Sequence, residues 1–546
     1  MTIKRIIKIL GVGMIGFIAL ATVPKDHDRL FEISKNIEIF TNLYKEINTY
    51  YVDDLNPAKL MRIGIDAMLE SLDPYTNYIS ESEIEGFRYI TEGKYNGIGA
   101  DFAKINGEVT LIAPYEDSPA TKAGLKAGDV IIAIDGKEVA GKSSEDINKF
   151  MQGYPGTEVS LRIQRPGEGK ERTMSLTREE VNVENVPYSG MLNEDIGYIA
   201  LTTFTRNAGR NVANALKDLQ KENPDLKGVV FDLRGNGGGL LAEAVNVSNV
   251  FINKNELVVT TKGKVIDWDR SFKTLNKPVD TDIPVAVLID KGSASASEIV
   301  SGVIQDLDRG VLVGQRSYGK GLVQNTKDIG YNSKVKMTIA KYYVPSGRCI
   351  QGVEYADGTP VNIPDSLRTP FKTKNGRVVL DGGGVKPDVY LDKGESAKVI
   401  SSLNSKHLIF DYVTQYCQNK ETIDAVETFK FTDFEDFIAY LDKKNFSYNT
   451  NTEKALTKLK DVSEKEDYDE ALAVEFKDIE AKIKEAKKKD MYRFQKEITD
   501  QIEKEIVSRY YFEKGKIQIG LRNDVEIKEA ITVLNDSGKY NTLLKN

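Results

Sequence analysis

The chain has 546 residues, with 75 Lys and Arg against 82 Asp and Glu, a net charge of −7, and only two histidines and two cysteines. That length implies roughly three or four domains of about 100–200 residues each. An acidic balance argues against nucleic acid as a partner. Two histidines without clustered ligands argue against a metal site, and two cysteines make no disulfide scaffold. At the N-terminus, Lys4, Arg5 and Lys8 precede an apolar run from Ile9 to Ala21, and Ala19-Leu20-Ala21 offers small residues for cleavage. Residues 1–23 therefore read as a signal peptide. They read equally as an N-terminal anchor, because about 18 residues just span a bilayer. The expectation is an exported protein, periplasmic or anchored facing the extracytoplasmic side. Pairing of Cys349 with Cys417 and two free buried thiols both remain open.

Residues 24–88 read as helices, since Ile33, Ile37, Phe40, Tyr44 and Ile47, then Met61, Ile65, Met68 and Leu69, recur at threes and fours. From about Tyr95 the texture changes to Gly97-Ile98-Gly99-Ala100, strand-like Val109-Thr110-Leu111-Ile112, and a turn at Asp135-Gly136. Residues 89–178 resemble a PDZ domain. The resemblance implies that Gly97, Ile98, Gly99 and Ala100 form a carboxylate-binding loop. Such a loop offers consecutive N–H donors to a peptide's C-terminus while the peptide pairs as an added strand. A small β-domain with a purely structural Gly-x-Gly turn is the plainer alternative.

Residues 179–395 alternate strands and helices. Val229 to Arg234 reads as a strand opening into Gly235-Asn236-Gly237-Gly238-Gly239, a run that exposes backbone N–H groups able to form half of an oxyanion hole. Pro284 to Asp290 is a short apolar run with β-branched residues, hence a buried strand, and Ile299, Val300, Val303, Ile304 and Leu307 then recur at helical spacing. Ser293, Ser295 and Ser297 thus sit where a strand turns into a helix, and the helix end favours developing negative charge there. The plainer reading is a cap, since Ser295-Ala296-Ser297-Glu298 satisfies the Ser-x-x-Glu capping box. Downstream lies Ser317-Tyr318-Gly319-Lys320-Gly321, with no acid within five residues of the lysine. With so few histidines, a lysine is the available base. It must be neutral to act, so its ordinary pKa of about 10.4 must fall by roughly 3, which desolvation can supply. Chemistry alone leaves the choice among the three serines open.

These segments, with Tyr51-Val52-Asp53, Leu72-Asp73-Pro74-Tyr75 and Tyr343-Val344-Pro345-Ser346-Gly347-Arg348, resemble the C-terminal processing peptidases, also called tail-specific proteases, over residues 35 to 395. The resemblance implies a multidomain α+β protein with an α/β protease core of the crotonase/Clp-like kind, an inserted PDZ domain, and helical N- and C-terminal regions. It implies Ser295 as nucleophile, Lys320 as general base and Gln324 as the residue that orients the lysine. Four residues of extended strand span roughly 13 Å, so a direct Gln324–Lys320 bond needs a bend. The oxyanion donors it implies are Gly238 and Ala296, with Gly237 or Gly239 fitting nearly as well as Gly238. Residues 396–546 read as a helical, Lys- and Glu-rich C-terminal domain with aromatic stripes and no assigned chemistry.

The function expected is that of an exported serine endopeptidase that takes protein or peptide substrates by their C-termini, with no cofactor. Membrane association through the N-terminus, a homo-oligomer and a regulatory partner are all compatible with the sequence. A catalytically inactive PDZ-containing binding or scaffold protein on the same fold is the alternative, and the intact Ser, Lys and Gln set argues against it. An acyl-CoA enzyme of related architecture would not need the PDZ module.

Overall fold

The computed structural model describes residues 25–356, 359–392, 394 and 397–545; the targeting segment expected at 1–23 lies outside them. The chain divides into two compact units, residues 1–78 and 79–546. In the first, a long helix Lys25–Tyr50 is followed by Pro57–Glu70. Asn56 caps the second helix by accepting from the Lys59 N–H at 3.1 Å, with Pro57 in its first turn. The helical period of the sequence is present, but Leu30, Phe31, Ile37 and Phe40 remain exposed. An apolar stripe shows that a helix has a face, and leaves its partner unstated.

The second unit opens with an antiparallel ribbon, Lys94–Gly97 against Glu179–Asn182. Because the ribbon joins entry to exit, everything between is an insertion. That insertion is a six-stranded sheet. Ala100–Ile105 is its free edge, followed by Glu108–Pro114, Val130–Ile134, Glu158–Gln164 and Glu171–Thr177, with Lys137–Glu138 paired off Val130–Ile134. Asp135 and Gly136 both take positive φ, 48° and 74°, as a two-residue primed hairpin requires. Leu111, Ile131, Ile147, Val159, Leu161 and Ile163 form its core, and the helix Ser144–Met151 flanks the edge strand.

The core of residues 179–395 is a six-stranded sheet in the order Tyr188–Met191, Ile196–Ala200, Gly228–Asp232, Val285–Ile289, Val311–Gly314, Val389–Tyr390. All pairs after the first are parallel. Both faces are buried, which explains why its strands read as unbroken apolar runs. Val229, Phe231, Val285, Val287 and Ile289 face the helices Ala208–Glu222, Leu241–Phe251 and Ala296–Asp306. Val230, Ala286, Leu288 and Val313 face the other way, onto Ile527, Ala530, Val533, Leu534 and Tyr540.

That second face is supplied by the helices Val525–Asn535 and Ser537–Leu543. The sequence pattern placed all of 396–546 in one helical region, but the structure divides it by what it packs on. Residues from Val399 to Ile519 share an aromatic-rich core of their own around Tyr412, Phe437, Ile502 and Ile506. This helical group also reaches the inserted sheet domain, where Gln418 donates to the Pro166 carbonyl at 2.7 Å. The final helices cover the parallel sheet, with the Tyr540 hydroxyl accepting from the Val285 N–H at 3.0 Å. Ile527 is almost completely buried in that face. Its replacement by alanine should lower stability by about 2–5 kcal/mol, measurable by urea unfolding. A loss below about 0.5 kcal/mol would show that the helix does not pack there in solution.

Candidate active site

Two loops leave the C-terminal ends of adjacent parallel strands, where open α/β sheets place their sites. After Asp232 the chain enters the glycine run. The Phe204 N–H bonds the Gly238 carbonyl at 3.0 Å, and the Leu240 N–H bonds the Phe204 carbonyl at 2.8 Å, which pins the run. Gly238 takes φ 100°, and a Cβ there would lie 2.8 Å from Ser295 Cβ and 2.9 Å from the Ala296 nitrogen. Only glycine allows that approach.

Buried Asn236 joins the two loops. Its amide donates to the Leu201 carbonyl at 2.7 Å, and its backbone carbonyl accepts from the Ala294 N–H at 3.0 Å and the Ser297 hydroxyl at 2.8 Å. Its Oδ1 accepts from the Gly238 N–H at 2.9 Å. Gly238 therefore lies against Ser295, but its N–H is aimed at Asn236. Among the described residues no acceptor takes the Ala296 N–H at the first position of the helix Ala296–Asp306.

The three serines differ. Ser293 is buried and donates to the Leu233 carbonyl at 2.8 Å, and Ser297 is buried on Asn236. Ser295 alone is half-exposed. It sits at φ 56°, ψ −111°, outside the regions an L-residue normally occupies. Strain of about 1–3 kcal/mol at such a residue persists only where the surroundings over-determine it, and a strained strand-to-helix turn is how other hydrolases project a serine. Here the determinants are explicit. The Ser295 carbonyl accepts from the N–H groups of Glu298 and Ile299, both at 2.9 Å, and from the Tyr342 hydroxyl at 3.1 Å; its N–H donates to Glu298 Oε2 at 2.8 Å.

Glu298 is the residue whose reach the sequence did not reveal. It is fully buried, and besides the Ser295 N–H its Oε2 accepts from the Lys320 N–H at 2.9 Å. Its Oε1 accepts from the Ser317 hydroxyl and the Gly319 N–H, each at 2.6 Å. One carboxylate thus holds the serine turn and the lysine loop together, and its acceptor positions are filled. Burial pushes its pKa up, and the hydrogen bonds from Ser317, Lys320, Gly319 and Ser295 pull the other way. The capping-box signal was present at this residue, and Glu298 does bond the N-cap N–H. The other three bonds come from more than eighteen positions downstream and left no local trace.

The lysine loop has further ties. The Tyr318 N–H donates to the Ser293 carbonyl at 3.0 Å, and the Gly321 N–H to Gln351 Oε1 at 2.6 Å. Gly319 takes φ 95° with Gly352 and Gly384 so close that a Cβ would meet their backbones at 3.0–3.1 Å. Lys320 is half-buried. Gln324 follows on the strand Leu322–Gly330, just after an irregularity in pairing between Val323 and Gln324, and its amide donates to Thr338 Oγ1 at 3.1 Å.

The expected carboxylate loop lies at the free edge of the inserted sheet. The carbonyl of Ile98 accepts from the Ala120 N–H at 2.8 Å, and that of Gly99 from the Tyr115 N–H at 2.9 Å and the Ser118 hydroxyl at 3.0 Å. With the carbonyls held inward, the amides turn out. The Tyr95 ring folds over Gly97, where a Cβ would lie 2.7 Å from it.

Beneath the glycine run, Arg234 is clamped by three carboxylates: Asp232 at 2.6 Å, Asp524 at 2.7 Å and Glu526 at 2.5 Å. Burial alone would lower its pKa, but these charges outweigh it and hold the guanidinium above its ordinary value.

Comparisons with known proteins agree with this layout. Residues 195–358 match Peptidase family S41, 96–177 match a PDZ domain, and 399–534 match the family described as "Probable PDZ-protease, C-terminal helical domain". The carboxy-terminal-processing protease of Bartonella bacilliformis is 37% identical over 369 residues, covering 66% of this chain and 83% of its own length. The carboxy-terminal processing protease CtpB of Bacillus subtilis is 32% identical over 401 residues, covering 70% and 83%. A solved photosystem II D1 C-terminal processing protease aligns at 27% identity over 65% of this chain and 92% of that one, with a TM-score of 0.36. The chain is a serine-type peptidase carrying a PDZ domain. It belongs to peptidase family S41, with the carboxy-terminal processing proteases.

Proposed function

We propose that this peptidase is exported, captures substrate C-termini on its PDZ domain, and hydrolyses peptide bonds with a Ser295/Lys320 dyad. The observation that carries the dyad is the Glu298 carboxylate, which binds the backbones of both residues on one oxygen. Ser295 Oγ attacks the scissile carbonyl as Lys320 takes its proton. Lys320 returns that proton to the leaving amine, and water then releases the acyl group by the same steps in reverse. The oxyanion is held by the Ala296 N–H, with the Gly238 N–H, shared with Asn236 Oδ1, as second donor. Gln324 steadies the lysine side of the site from its anchor on Thr338. Export rests on the basic and apolar residues 4–21.

Capture by the PDZ loop is supported by its outward amides, since the carbonyls of Ile98 and Gly99 are held by the N–H groups of Ala120 and Tyr115. Amidating a substrate's C-terminus removes the charge and sets a donor against N–H groups. A lost charge-assisted hydrogen bond is worth about 1.5–3 kcal/mol, so kcat/KM for the free acid should exceed that for the amide by about 10- to 150-fold. Equal cleavage of acid and amide by the intact protein would reject capture by this loop.

A further inference from the structure

We propose that Asp101 makes the PDZ groove select substrates with a basic residue in the penultimate position, a refinement that rests on carboxylate capture by the Ile98–Ala100 amides. The register of the edge strand Ala100–Ile105 sets the position. Ala100 lies opposite Pro114, and the Tyr115 N–H bonds the Gly99 carbonyl. That makes Ala100 and Pro114 a non-hydrogen-bonded pair, so the N–H and C=O of Ala100 face away from the sheet. Phe102 lies opposite Leu111, whose own N–H and C=O bond Asp129 and Gly128, just before the strand Val130–Ile134. Phe102 therefore also presents its backbone outward. A peptide that adds to this edge pairs with Ala100 and Phe102. With its carboxylate on the loop amides, its last residue lies beside Ala100 and its penultimate residue beside Asp101, on the same face.

The surroundings of Asp101 suit a cation. Its side chain is exposed, and Oδ1 accepts the Tyr115 hydroxyl at 2.6 Å. The Tyr95 ring stands edge-on to both Tyr89 and Tyr115, with centroids 5.9 and 6.4 Å apart. These three rings, Asp101, Ile98 and Met151 line a cavity of about 190 Å³. An ammonium or guanidinium group there meets a carboxylate and aromatic faces together. From the helix Gln495–Gly520, Glu513 adds a second negative charge within electrostatic reach, which Lys516 partly offsets. A penultimate glutamate meets repulsion in the same place.

The test uses the full chain with Ser295→Ala and fluorescent decapeptides ending in Lys-Ala, Gln-Ala or Glu-Ala, each as acid and amide, with Kd read by anisotropy. The Lys-Ala acid should bind about tenfold tighter than the Glu-Ala acid, with Gln-Ala between them, an attraction and a repulsion of about threefold each. Asp101→Asn keeps the acceptor for Tyr115 and should bring the Lys-to-Glu ratio to about twofold or less, with the acid-to-amide ratio unchanged. Asp101→Lys should reverse the preference. A ratio near one in the Asp101 protein, or one that survives Asp101→Asn, overturns the proposal while acid still outbinds amide. If acid and amide bind alike, carboxylate capture itself fails and the penultimate selection falls with it.

Discussion

Ser295→Ala should slow proteolysis by about 10⁴-fold or more, with the unfolding midpoint hardly changed. The rate loss follows because the covalent intermediate depends on one hydroxyl, and the midpoint holds because Ser295 is half-exposed and its strained backbone is held by main-chain bonds. Lys320→Ala should be equally inactive, and Lys320→Arg should not rescue it, because arginine stays protonated. The neighbours behave as controls of the opposite kind. Ser293→Ala strips a donor from the buried Leu233 carbonyl, and Ser297→Ala strips one from Asn236. Each should cost about 1–3 kcal/mol of stability while preserving the chemical step. Normal cleavage by Ser295→Ala, with loss in Ser293→Ala or Ser297→Ala, would move the nucleophile.

Glu298→Ala should be the most damaging single substitution in the site after the dyad itself. It leaves the N–H groups of Ser295, Gly319 and Lys320 and the Ser317 hydroxyl without their acceptor in a buried place. At about 1–3 kcal/mol per orphaned donor, the loss is several kcal/mol even if some donors find new partners. Glu298→Gln keeps the shape but turns one oxygen into a donor facing donors. It should retain more stability than alanine yet still lose about 10²-fold in kcat, since the serine and lysine loops part where the oxygen is replaced. Because the folded pKa of Glu298 is raised, chiefly by burial, protonation favours the folded state: its contribution to stability is fully present below the unfolded value and is lost as pH rises through the folded one. Activity follows the opposite course, since the four donors require the ionised carboxylate. Wild-type kcat should therefore fall on acidification through that range without a matching loss of stability. Glu298→Gln with unchanged kcat would show that the carboxylate holds nothing that matters to the reaction.

What the sequence made legible was local. The run Val285–Ile289 announced a buried strand, and Ile299, Val300, Val303 and Ile304 announced the helix after it, because apolar period and β-branching act within a few residues. The glycines before Leu240 announced exposed backbone N–H groups, and those around Lys320 announced room for a bend. The identity of what approaches was not legible: Gly238 meets Ser295, and Gly319 meets Gly352 and Gly384, across long stretches of chain. Glu298 carried a capping signal that understated it for the same reason. Asn236 gave no signal at all, since an asparagine between glycines reads as a turn residue, and only the folded structure shows it binding Leu201, Gly238, Ala294 and Ser297. The stripe read on Lys25–Tyr50 has exposed apolar residues, whereas Ile527, Ala530, Val533 and Leu534 on Val525–Asn535 close the protease sheet.

The closing of that sheet by its final helices sets an order on synthesis. Arg234 and its partner Asp524 are 290 positions apart in sequence. At about 5–20 residues per second, the strands through Gly314 leave the ribosome some ten seconds or more before Ile527 and Leu534 exist to cover them. Until then Tyr198, Val230, Leu288 and Val313 lack the cover they have in the finished fold, and the guanidinium under the glycine run lacks two of its three counter-charges. A nascent chain can thus hold serine, lysine and glutamate in sequence without a finished site. The clamp on Arg234 is complete only once Asp524 and Glu526 have been made.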